Sequence, residues 1–337
     1  MKIEQNYDLT KINTFGIRAE AHFFVEINKE EEIYELFSTD EFKKNPKLFM
    51  GGGSNILFTD NFKGIVIQNK LKGIQTIKED ENNTWVRSLS GEVWHDLVLF
   101  AVEKNLWGVE NLSLVPGTVG GTPMQNIGAY GVEVKETIDS VEVIDIDTGE
   151  KKTLSNQECN FGYRDSIFKK EAKGKYFIIA VTFKLSKVPK PNLSYKILSQ
   201  YMEERNISPT IPKNISDSVS EIRRSKLPDP KLLGNAGSFF KNVFVDKDKL
   251  LTLRESYPDL PSFEEDGVIK VPSGWLIEKC GWKGKRVGNV GVHEKQALVL
   301  VNYGGATGKD ILNLANSIID SVKEKFNLVL TPEVNIV

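Results

Sequence analysis

Two glycine-rich segments are the most promising chemical features of the sequence. GGGSN occupies residues 51–55, and VPGTVGGTPMQNIGAYG occupies residues 115–131 with five glycines. Glycine costs backbone entropy in regular structure, but it lets backbone N–H groups approach a ligand closely. Successive N–H groups form an anion-binding concavity that suits a pyrophosphate. The pair favours a bound dinucleotide over the alternative of two ordinary turns. Because G-x-G-x-x-G does not occur in the sequence, a Rossmann site is not supported.

An arginine among aromatic residues is a candidate for binding a carboxylate. In NFGYRDSIFK (160–169), Arg164 lies between Tyr163 and Asp165. The planar guanidinium can hold a carboxylate through two parallel hydrogen bonds. The alternative is a surface salt bridge to Asp165, and this stretch alone favours neither.

Two further polar residues stand in bare or apolar surroundings. Ser238 in GNAGSFFKN (234–242) follows small residues and precedes two phenylalanines, which is typical either of a turn or of a proton donor in a dry pocket. Glu333 in TPEVNIV (331–337) lies on a predicted apolar strand. A carboxylate is costly to bury unless it has a partner or a task. The alternative for Glu333 is an edge strand on which it faces water.

Other possible motifs have simpler interpretations. GGATGK (304–309) lacks the Walker spacing and is predicted to be a turn followed by a helix start. His95, beside Trp94 on a predicted helix, is expected to be structural. Cys159 and Cys280 are far apart and have no metal-ligand spacing, so we expect buried, inert thiols and no metal.

Composition narrows the class of protein. The 337 residues are 40% hydrophobic and 27% charged, with a net charge of −2, so the bulk charge gives no attraction to nucleic acid or membrane. No apolar run approaches the roughly 20 residues that span a bilayer. No secretory signal is visible at the N-terminus. These features predict a cytoplasmic protein.

A mixed set of strands and helices must position this chemistry. The predicted strands are residues 21–27, 47–50, 55–58, 64–69, 84–91, 140–146, 176–185 and 327–337, and the predicted helices are 28–37, 92–104, 216–226 and 309–326. The first helix is expected to begin at a capping box of Asn28 and Glu31, and the third at Ser216. The proline-containing segment 187–194 is expected to be a loop or linker.

Eight motifs occur in an order that is specific as a set. They are NTFGI (13–17), GGGSN (51–55), PGTVGGTPMQNIGAYG (116–131), FGYRDSIFK (161–169), KLPDP (226–230), GNAGSFFKN (234–242), GWLIEKCG (274–281) and PEV (332–334). Together they resemble the UDP-N-acetylenolpyruvoylglucosamine reductase family, flavoenzymes of peptidoglycan precursor synthesis. NLSYKIL (192–198) is similar to the loop of the type I members, which carries a tyrosine over the substrate.

The resemblance implies an α+β fold of three domains. A two-part, non-Rossmann FAD-binding region similar to that of vanillyl-alcohol oxidase (PCMH-like) would precede a C-terminal α+β substrate-binding domain. The expected boundaries are 1–70 with the C-terminal strand 327–337 for the first FAD-binding subdomain, 71–215 for the second, and 216–326 for the substrate-binding domain.

The resemblance also implies non-covalent FAD, with NADPH as hydride donor. The implied cofactor-binding residues are Gly51, Gly52, Gly53, Ser54, Asn55, Pro116, Gly117, Thr118, Gly120, Gly121, Pro123, Asn126, Gly128 and Ala129. NADPH and the enolpyruvyl ether of UDP-N-acetylglucosamine would use one pocket in turn, and the product would be UDP-N-acetylmuramate. A cytoplasmic monomer that binds neither nucleic acid nor membrane is expected.

Catalytic and substrate-binding residues follow from the same resemblance. Arg164 would stabilise the charge that develops on the enolpyruvyl carboxylate, with Glu333 beside it as a hydrogen-bond donor, and Ser238 would donate the proton. The implied substrate-binding residues are Tyr195, Lys226, Asn242, Gln296 and Tyr130. One departure is Asn335, which stands where some members have an arginine. It puts one cationic contact near Glu333 in doubt.

Two other functions stay open at this stage. One is an oxidase with the same FAD-binding fold, many of which tether the flavin through a histidine. The other is a sugar-nucleotide binding protein without redox activity. Flavin retained after denaturation would favour the first, and a colourless purified protein would favour the second.

Overall fold

The computed structural model describes residues 1–265 and 267–337. The strands are β1 Ile3–Asp8, β2 Glu20–Ile27, β3 Lys47–Met50, β4 Ile56–Leu57, β5 Phe62–Asn69, β6 Ile74–Glu79, β7 Asn83–Leu89, β8 Gly128–Ala129, β9 Val132–Glu133, β10 Ile138–Asp145, β11 Lys151–Ser155, β12 Tyr176–Ser186, β13 Gly234–Ser238, β14 Val243–Val245, β15 Phe263–Glu265, β16 Val268–Val271, β17 Arg286–Val287, β18 Val290–Val292, β19 Val299–Asn302 and β20 Asn335–Ile336. The helices are α1 Glu31–Ser38, α2 Asp40–Lys44, α3 Trp94–Glu103, α4 Lys196–Glu204, α5 Pro212–Lys226, α6 Lys247–Ser256, α7 Ser273–Lys279 and α8 Gly308–Phe326. The predicted α+β class is confirmed.

The chain divides into two compact units. Unit 1 comprises Met1–Tyr7, Ala21–Gly52 and Phe62–Ser225, and unit 2 comprises Asp8–Glu20, Gly53–Asn61 and Lys226–Val337. The three domain boundaries expected from the sequence stay predictions.

Unit 1 contains two main sheets. The first has the strand order β1-β2-β5-β3, in which β5 pairs in parallel with β2 and with β3. The second is antiparallel through its centre, with the order β11-β10-β12-β7-β6. Apolar residues of both sheets share one core, and α3 packs its buried face into a neighbouring core of the second sheet. This packing fixes the strand ends and loops that carry the glycine-rich segments.

Unit 2 is built on a sheet of order β13-β19-β18-β17. Its longest helix, α8, begins at a capping box of Thr307 and Asp310, so GGATGK is a turn and helix start as predicted. Ile311, Ala315 and Ile318 recur at the helical spacing that predicts a buried stripe on the 309–326 helix, and all three are buried in the core of this unit. The C-terminal strand β20 pairs in parallel with β4.

Three local predictions were wrong. The capping box at Asn28 and Glu31 does not form, because the carboxylate of Glu32 instead accepts the N–H groups of Asn28 and Lys29. Helix α5 begins at Pro212, since proline suits the first helical turn, where its missing N–H is not needed. The closing strand is short, because regular pairing is confined to β20 within the predicted 327–337.

The cap predicted at Ser216 was also wrong. Ser216 lies inside α5 and is buried, and its hydroxyl shares a 2.7 Å hydrogen bond with Ser113 Oγ. Ser216 thus resembles a helix cap in the sequence, but in the structure it helps to attach α5 to the rest of unit 1. The segment 187–194 is a loop as predicted.

Candidate functional site

A cavity in unit 1 brings the two glycine-rich segments together. It has a volume of about 130 Å³, and Gly51 of the first segment and Thr118, Gly120 and Gly121 of the second line it. Its other lining residues are Phe49, Met50, Asn69, Ser90, Met124, Phe168, Ala172, Gly174, Tyr176, Phe177 and Ile178. The cavity is therefore lined both by the glycine-rich segments and by aromatic side chains.

The two segments lie against each other, and the Thr118 side chain explains the need for glycine at position 51. A Cβ atom on Gly51 would collide with Thr118 Oγ1, and one on Gly52 would lie 3.7 Å from Gly117 Cα. In the part of the chain that the structure describes, the N–H groups of Gly52, Gly117 and Thr118 donate no hydrogen bond to another residue. These N–H groups can receive the phosphate oxygens of a dinucleotide.

Other predicted cofactor-binding residues maintain the shape of the segments. The N–H groups of Gly120 and Gly121 are used within the protein, donating to Ser90 O at 2.8 Å and Thr118 O at 2.9 Å. Gly53 has φ +64° and lies against the backbone of Ile12 in unit 2, so no side chain fits there. The N–H groups of Gly120 and Gly121 are therefore not free donors, and Gly53 supports its loop through its backbone conformation.

The remaining cofactor candidates differ in exposure. Pro123 is buried and Pro116 is exposed, while Ser54 and Ala129 are half-buried. Asn55, in unit 2, donates from Nδ2 to Glu333 O at 3.4 Å. Of this group, Asn55 is therefore the residue that contacts a predicted catalytic residue.

Asn126 anchors the far end of the second segment. It is buried with φ +42°, and its Nδ2 donates to Glu133 Oε2 and Gly162 O, each at 2.9 Å. Its Oδ1 accepts the N–H of Lys135 at 3.0 Å. A left-handed conformation outside glycine is uncommon, and here three side-chain hydrogen bonds hold it in place.

Arg164 is tied to the second glycine-rich segment. Its Nη2 donates to Gly128 O at 2.6 Å, its guanidinium lies 5.4 Å from the centre of the Tyr163 ring, and its φ is +52°. A Cβ on Gly128 would lie 2.8 Å from Arg164 Nη1. Asp165, the alternative partner considered from the sequence, is paired with Lys170. Glycine at position 128 thus makes room for the guanidinium.

Tyr130 and Tyr195 come together in unit 1. Their ring centroids are 5.2 Å apart with an edge-to-face geometry, and Tyr130 has φ +49°. Burial raises the pKa of the Tyr130 hydroxyl. Tyr195 is exposed and lies at the N-terminal end of α4. An exposed tyrosine held against a half-buried one is suited to covering a ligand.

Arg223 is a charged neighbour of this pair that sequence reasoning missed. Its guanidinium forms a hydrogen bond with the Tyr130 side chain, and burial lowers the pKa of Arg223. Its Nε is buried and has no hydrogen-bond partner among the residues described. One feature of the sequence could have indicated Arg223 as a site residue. It lies on α5 three residues before Lys226, which is half-buried and ends that helix.

Ser238 and Glu333 lie on adjacent segments of unit 2. Ser238 ends β13, where the pairing with β19 shifts register between Asn235 and Ser238, and Gly237 has φ +69°. The Glu333 N–H donates to Phe239 O at 2.7 Å. The two predicted catalytic residues are therefore linked through the residue that follows Ser238.

The surroundings of Ser238 differ in part from the expectation. The simple turn is wrong, because the residue belongs to a bulged strand, and bulges redirect side chains. Phe239 and Phe240 are buried in the core of unit 2, whereas Ser238 is exposed. The dry pocket thus stays a prediction. Glu333 is half-buried and precedes β20 rather than lying on a strand.

Asn242 and Gln296 are both near the start of α7. Asn242 Oδ1 accepts the N–H of Ser273 at 3.1 Å. Gln296 Oε1 accepts the N–H of Leu298 at 3.4 Å and would lie 3.6 Å from a Cβ on Gly274. The structure therefore brings these two weaker candidates to one region of unit 2.

His95 and Cys159 have the surroundings of structural residues, but Cys280 does not meet the expectation of a buried thiol. His95 Nδ1 accepts the N–H of Leu114 at 3.1 Å, and burial lowers the pKa of the imidazole. Burial raises the pKa of the Cys159 thiol to about 12, while Cys280 is half-buried. Among the described residues, no helix is both long and apolar enough to cross a membrane.

Comparisons with known proteins give matches to both halves of the chain. Residues 21–155 match the family profile described as an FAD binding domain, and residues 229–337 match the C-terminal domain of UDP-N-acetylenolpyruvoylglucosamine reductase. The curated reductases of that name from Flavobacterium johnsoniae and Porphyromonas gingivalis are each 47% identical to the chain, covering 100% and 99% of both sequences, respectively.

A solved structure shows the same fold. The crystal structure of UDP-N-acetylenolpyruvylglucosamine reductase from Thermus caldophilus aligns with a TM-score of 0.68 at 24% identity, covering 100% of this chain and 99% of that one. The expected PCMH-like FAD-binding region followed by a C-terminal α+β domain is therefore confirmed. With relatives at this identity over its full length, the chain belongs to the UDP-N-acetylenolpyruvoylglucosamine reductase family.

Proposed function

We propose that the chain reduces the enolpyruvyl ether of UDP-N-acetylglucosamine to UDP-N-acetylmuramate, with FAD as cofactor and NADPH as hydride donor. The observation that carries the proposal is the convergence of both glycine-rich segments on one cavity of unit 1. Relatives 47% identical over the full chain are named for this reductase activity. This step belongs to the synthesis of peptidoglycan precursors.

The residues at and beside the cavity are suited to holding the pyrophosphate part of a flavin dinucleotide. The unused N–H groups of Gly52, Gly117 and Thr118 would hold the pyrophosphate, and Gly51 leaves room for the close approach. When bound, FAD supplies hydride transfer between NADPH and the enolpyruvyl carbon. No histidine is among the lining residues in the described chain, which supports non-covalent binding. Acid precipitation should then release all flavin, whereas flavin retained in the pellet would support the histidine-tethered oxidases.

Arg164 and Glu333 would polarise the carboxylate of the substrate. Hydride addition to the double bond moves negative charge toward that carboxylate, and a fixed cation stabilises it. Arg164 is suited to this because its hydrogen bond to Gly128 O fixes the guanidinium in unit 1. Glu333, held through its backbone in unit 2, would donate a hydrogen bond to the same group.

Ser238 would deliver the proton to the other carbon of the double bond. A serine hydroxyl is a feeble acid, so it can act only after a strongly basic carbanion has developed. The bulge at the end of β13 and the link of Glu333 to Phe239 place Ser238 next to a second predicted catalytic residue. This adjacency supports the donor role.

The UDP end of the substrate would be held by Tyr195 and Lys226. Asn242 and Gln296 are weaker candidates for the same region. The ring of Tyr130 contacts the ring of Tyr195 in an edge-to-face geometry. A lysine ammonium is a point charge suited to a phosphate. NADPH would occupy the same pocket in the other half of the cycle, so steady-state kinetics should be ping-pong. Intersecting, ternary-complex patterns would count against a shared pocket.

The Ser238→Ala variant tests the chemical step. It should fold, bind FAD and be reduced by NADPH at a near-normal rate, because the side chain is exposed and packs no core. Its reoxidation by substrate should fall by about 10²–10⁴-fold, the usual contribution of a general acid. Ser238→Cys should recover part of the loss. Turnover of Ser238→Ala within a few-fold of wild type would remove the serine from the mechanism.

We further propose a cytoplasmic monomer whose ligands are small molecules. The substrate is a sugar nucleotide, and a net charge of −2 gives no bulk attraction to nucleic acid or an anionic membrane. Sedimentation equilibrium should give the mass of one chain, 37.9 kDa. A mass that doubles at micromolar concentration would contradict the monomer.

A further inference from the structure

A buried asparagine ties together two segments that surround Tyr195. Asn111 lies in the helical turn Glu110–Leu112 and is 1% exposed. Its Nδ2 donates to Tyr130 O at 2.9 Å and to Asn192 O at 2.9 Å. One side chain therefore satisfies carbonyl groups from the second glycine-rich segment and from the loop before α4.

Asn192 completes the connection from the other side. Its Nδ2 donates to Gly131 O at 3.1 Å, and its Oδ1 accepts the N–H of Ser194 at 3.0 Å and the Ser194 hydroxyl at 2.7 Å. Gly131 has φ +83°, and a Cβ there would collide with Ser194 Oγ. Tyr195 is the next residue. We call these hydrogen bonds of Asn111 and Asn192 the loop latch.

The side-chain amide of Asn111 is oriented so that its Nδ2 reaches two acceptors. In the described residues, its Oδ1 is buried without a hydrogen-bond partner. A buried polar atom left without a partner is unfavourable, so its presence needs a compensating reason. The two hydrogen bonds from Nδ2 to carbonyl groups supply that reason.

We propose that Asn111, through the loop latch, is the positioning residue that holds Tyr195 in place for the sugar nucleotide. The inference rests on the proposed function, in which Tyr195 contacts the UDP end of the substrate. Without the latch, Tyr195 would retain its edge contact with Tyr130, but the backbone before it would be free to move. Each binding event would then have to order the loop, and this free-energy cost would weaken substrate binding.

Asn111→Ala should therefore raise the KM for the sugar nucleotide at least tenfold and lower kcat less than threefold. Amide hydrogen exchange at residues 192–195 should become at least tenfold faster, since these N–H groups would open without the whole unit unfolding. Asn192→Ala changes a half-buried residue and should act in the same direction with a smaller effect. It keeps the inference testable if Asn111→Ala does not fold.

A matched control comes from the same turn. Ser113 is buried, and its hydroxyl donates to Glu110 O at 2.7 Å and contacts Ser216 Oγ. Within the described part of the chain, it forms no hydrogen bond with residues 192–195. Ser113→Ala should lower the melting temperature and leave the KM and the exchange of residues 192–195 unchanged. A general loss of packing would instead make both variants behave alike.

A double-mutant cycle separates positioning from stability. If Asn111 acts through Tyr195, Asn111→Ala should add less than twofold to the KM of a Tyr195→Ala enzyme. Independent, multiplying effects would overturn the inference. So would Asn111→Ala with unchanged KM and unchanged loop exchange while Tyr195→Ala raises KM. If Tyr195→Ala itself leaves KM unchanged while wild type turns over, the assignment of Tyr195 fails, and this inference fails with it. No turnover of the sugar nucleotide by wild type would refute the proposed function instead.

Discussion

Replacing Gly51 with alanine is the sharpest steric test of the cofactor site. Gly51 has an ordinary backbone conformation, so alanine causes no torsional strain there. The new Cβ would collide with Thr118 Oγ1 and lie 3.2 Å from both Thr118 Cβ and Cγ2. Rotation of Thr118 about χ1 moves Oγ1 and Cγ2 but leaves its Cβ 3.2 Å from the new methyl group, so rotation alone does not relieve the contact. The two glycine-rich segments would have to separate.

The magnitude follows from overpacking. One inserted methyl group that forces a backbone shift costs about 1–3 kcal/mol. For a unit of this size, the melting temperature should fall by about 2–12 °C. Flavin affinity should fall as well, because the shift moves the N–H groups of Gly52, Gly117 and Thr118 relative to one another.

Two further variants make the test specific. Gly121→Ala lines the same cavity, but its Cβ would meet no atom within 4 Å, so the melting temperature should hold. Gly51→Ala combined with Thr118→Ala removes Oγ1 and Cγ2 and leaves one 3.2 Å contact, so stability should largely return. Thermal unfolding by circular dichroism and flavin absorbance per mole of protein are the measurements. A Gly51→Ala protein with wild-type stability and flavin content would refute the proposed packing of the two segments.

The other predictions concern the substrate, the chemical step and pH. Tyr195→Phe and Lys226→Ala should raise the substrate KM by more than they lower kcat, and the assignment fails if neither changes KM. Arg164→Ala or Glu333→Gln should slow flavin reoxidation by substrate about 10²–10³-fold while sparing reduction by NADPH, and equal slowing of both half-reactions would indicate a structural role. Burial lowers the pKa of His95 in the folded state below its ordinary value of 6.5. As the pH falls, the unfolded chain therefore binds a proton at this residue before the folded chain does, so the folded state loses stability below about pH 6.5. His95→Gln should therefore flatten the loss of urea stability between about pH 8 and about pH 5, and an unchanged pH profile would contradict this.

Sequence reasoning was most successful where a motif is itself the contact surface. Gly51 and Gly52 of the first glycine-rich segment lie against Thr118 and Gly117 of the second, and the composition of both segments had already indicated a close approach of the backbone to a ligand. The stripe of α8 likewise follows from helical periodicity, and its burial was predicted residue by residue. In both cases the residues that form the local sequence pattern are the same residues that make the tertiary contact.

Other features depend on partners distant in sequence. Ser238 sits in good turn sequence, yet pairing with β19 makes it the end of a bulged strand. Asn111 and Arg223 both form hydrogen bonds with Tyr130, and the only local signal for either was the position of Arg223 three residues before Lys226. Ser216 resembles a helix cap, but the tertiary contact with Ser113 sets its role. Such residues become visible only when the chain is folded.

The most direct test of the central claim is an anaerobic experiment with two additions. NADPH added to the purified protein should bleach the visible absorbance of the oxidised flavin. UDP-N-acetylglucosamine enolpyruvate added next should restore that absorbance and yield UDP-N-acetylmuramate in an equal amount. Flavin that bleaches with NADPH but stays reduced after the sugar nucleotide is added would contradict the account.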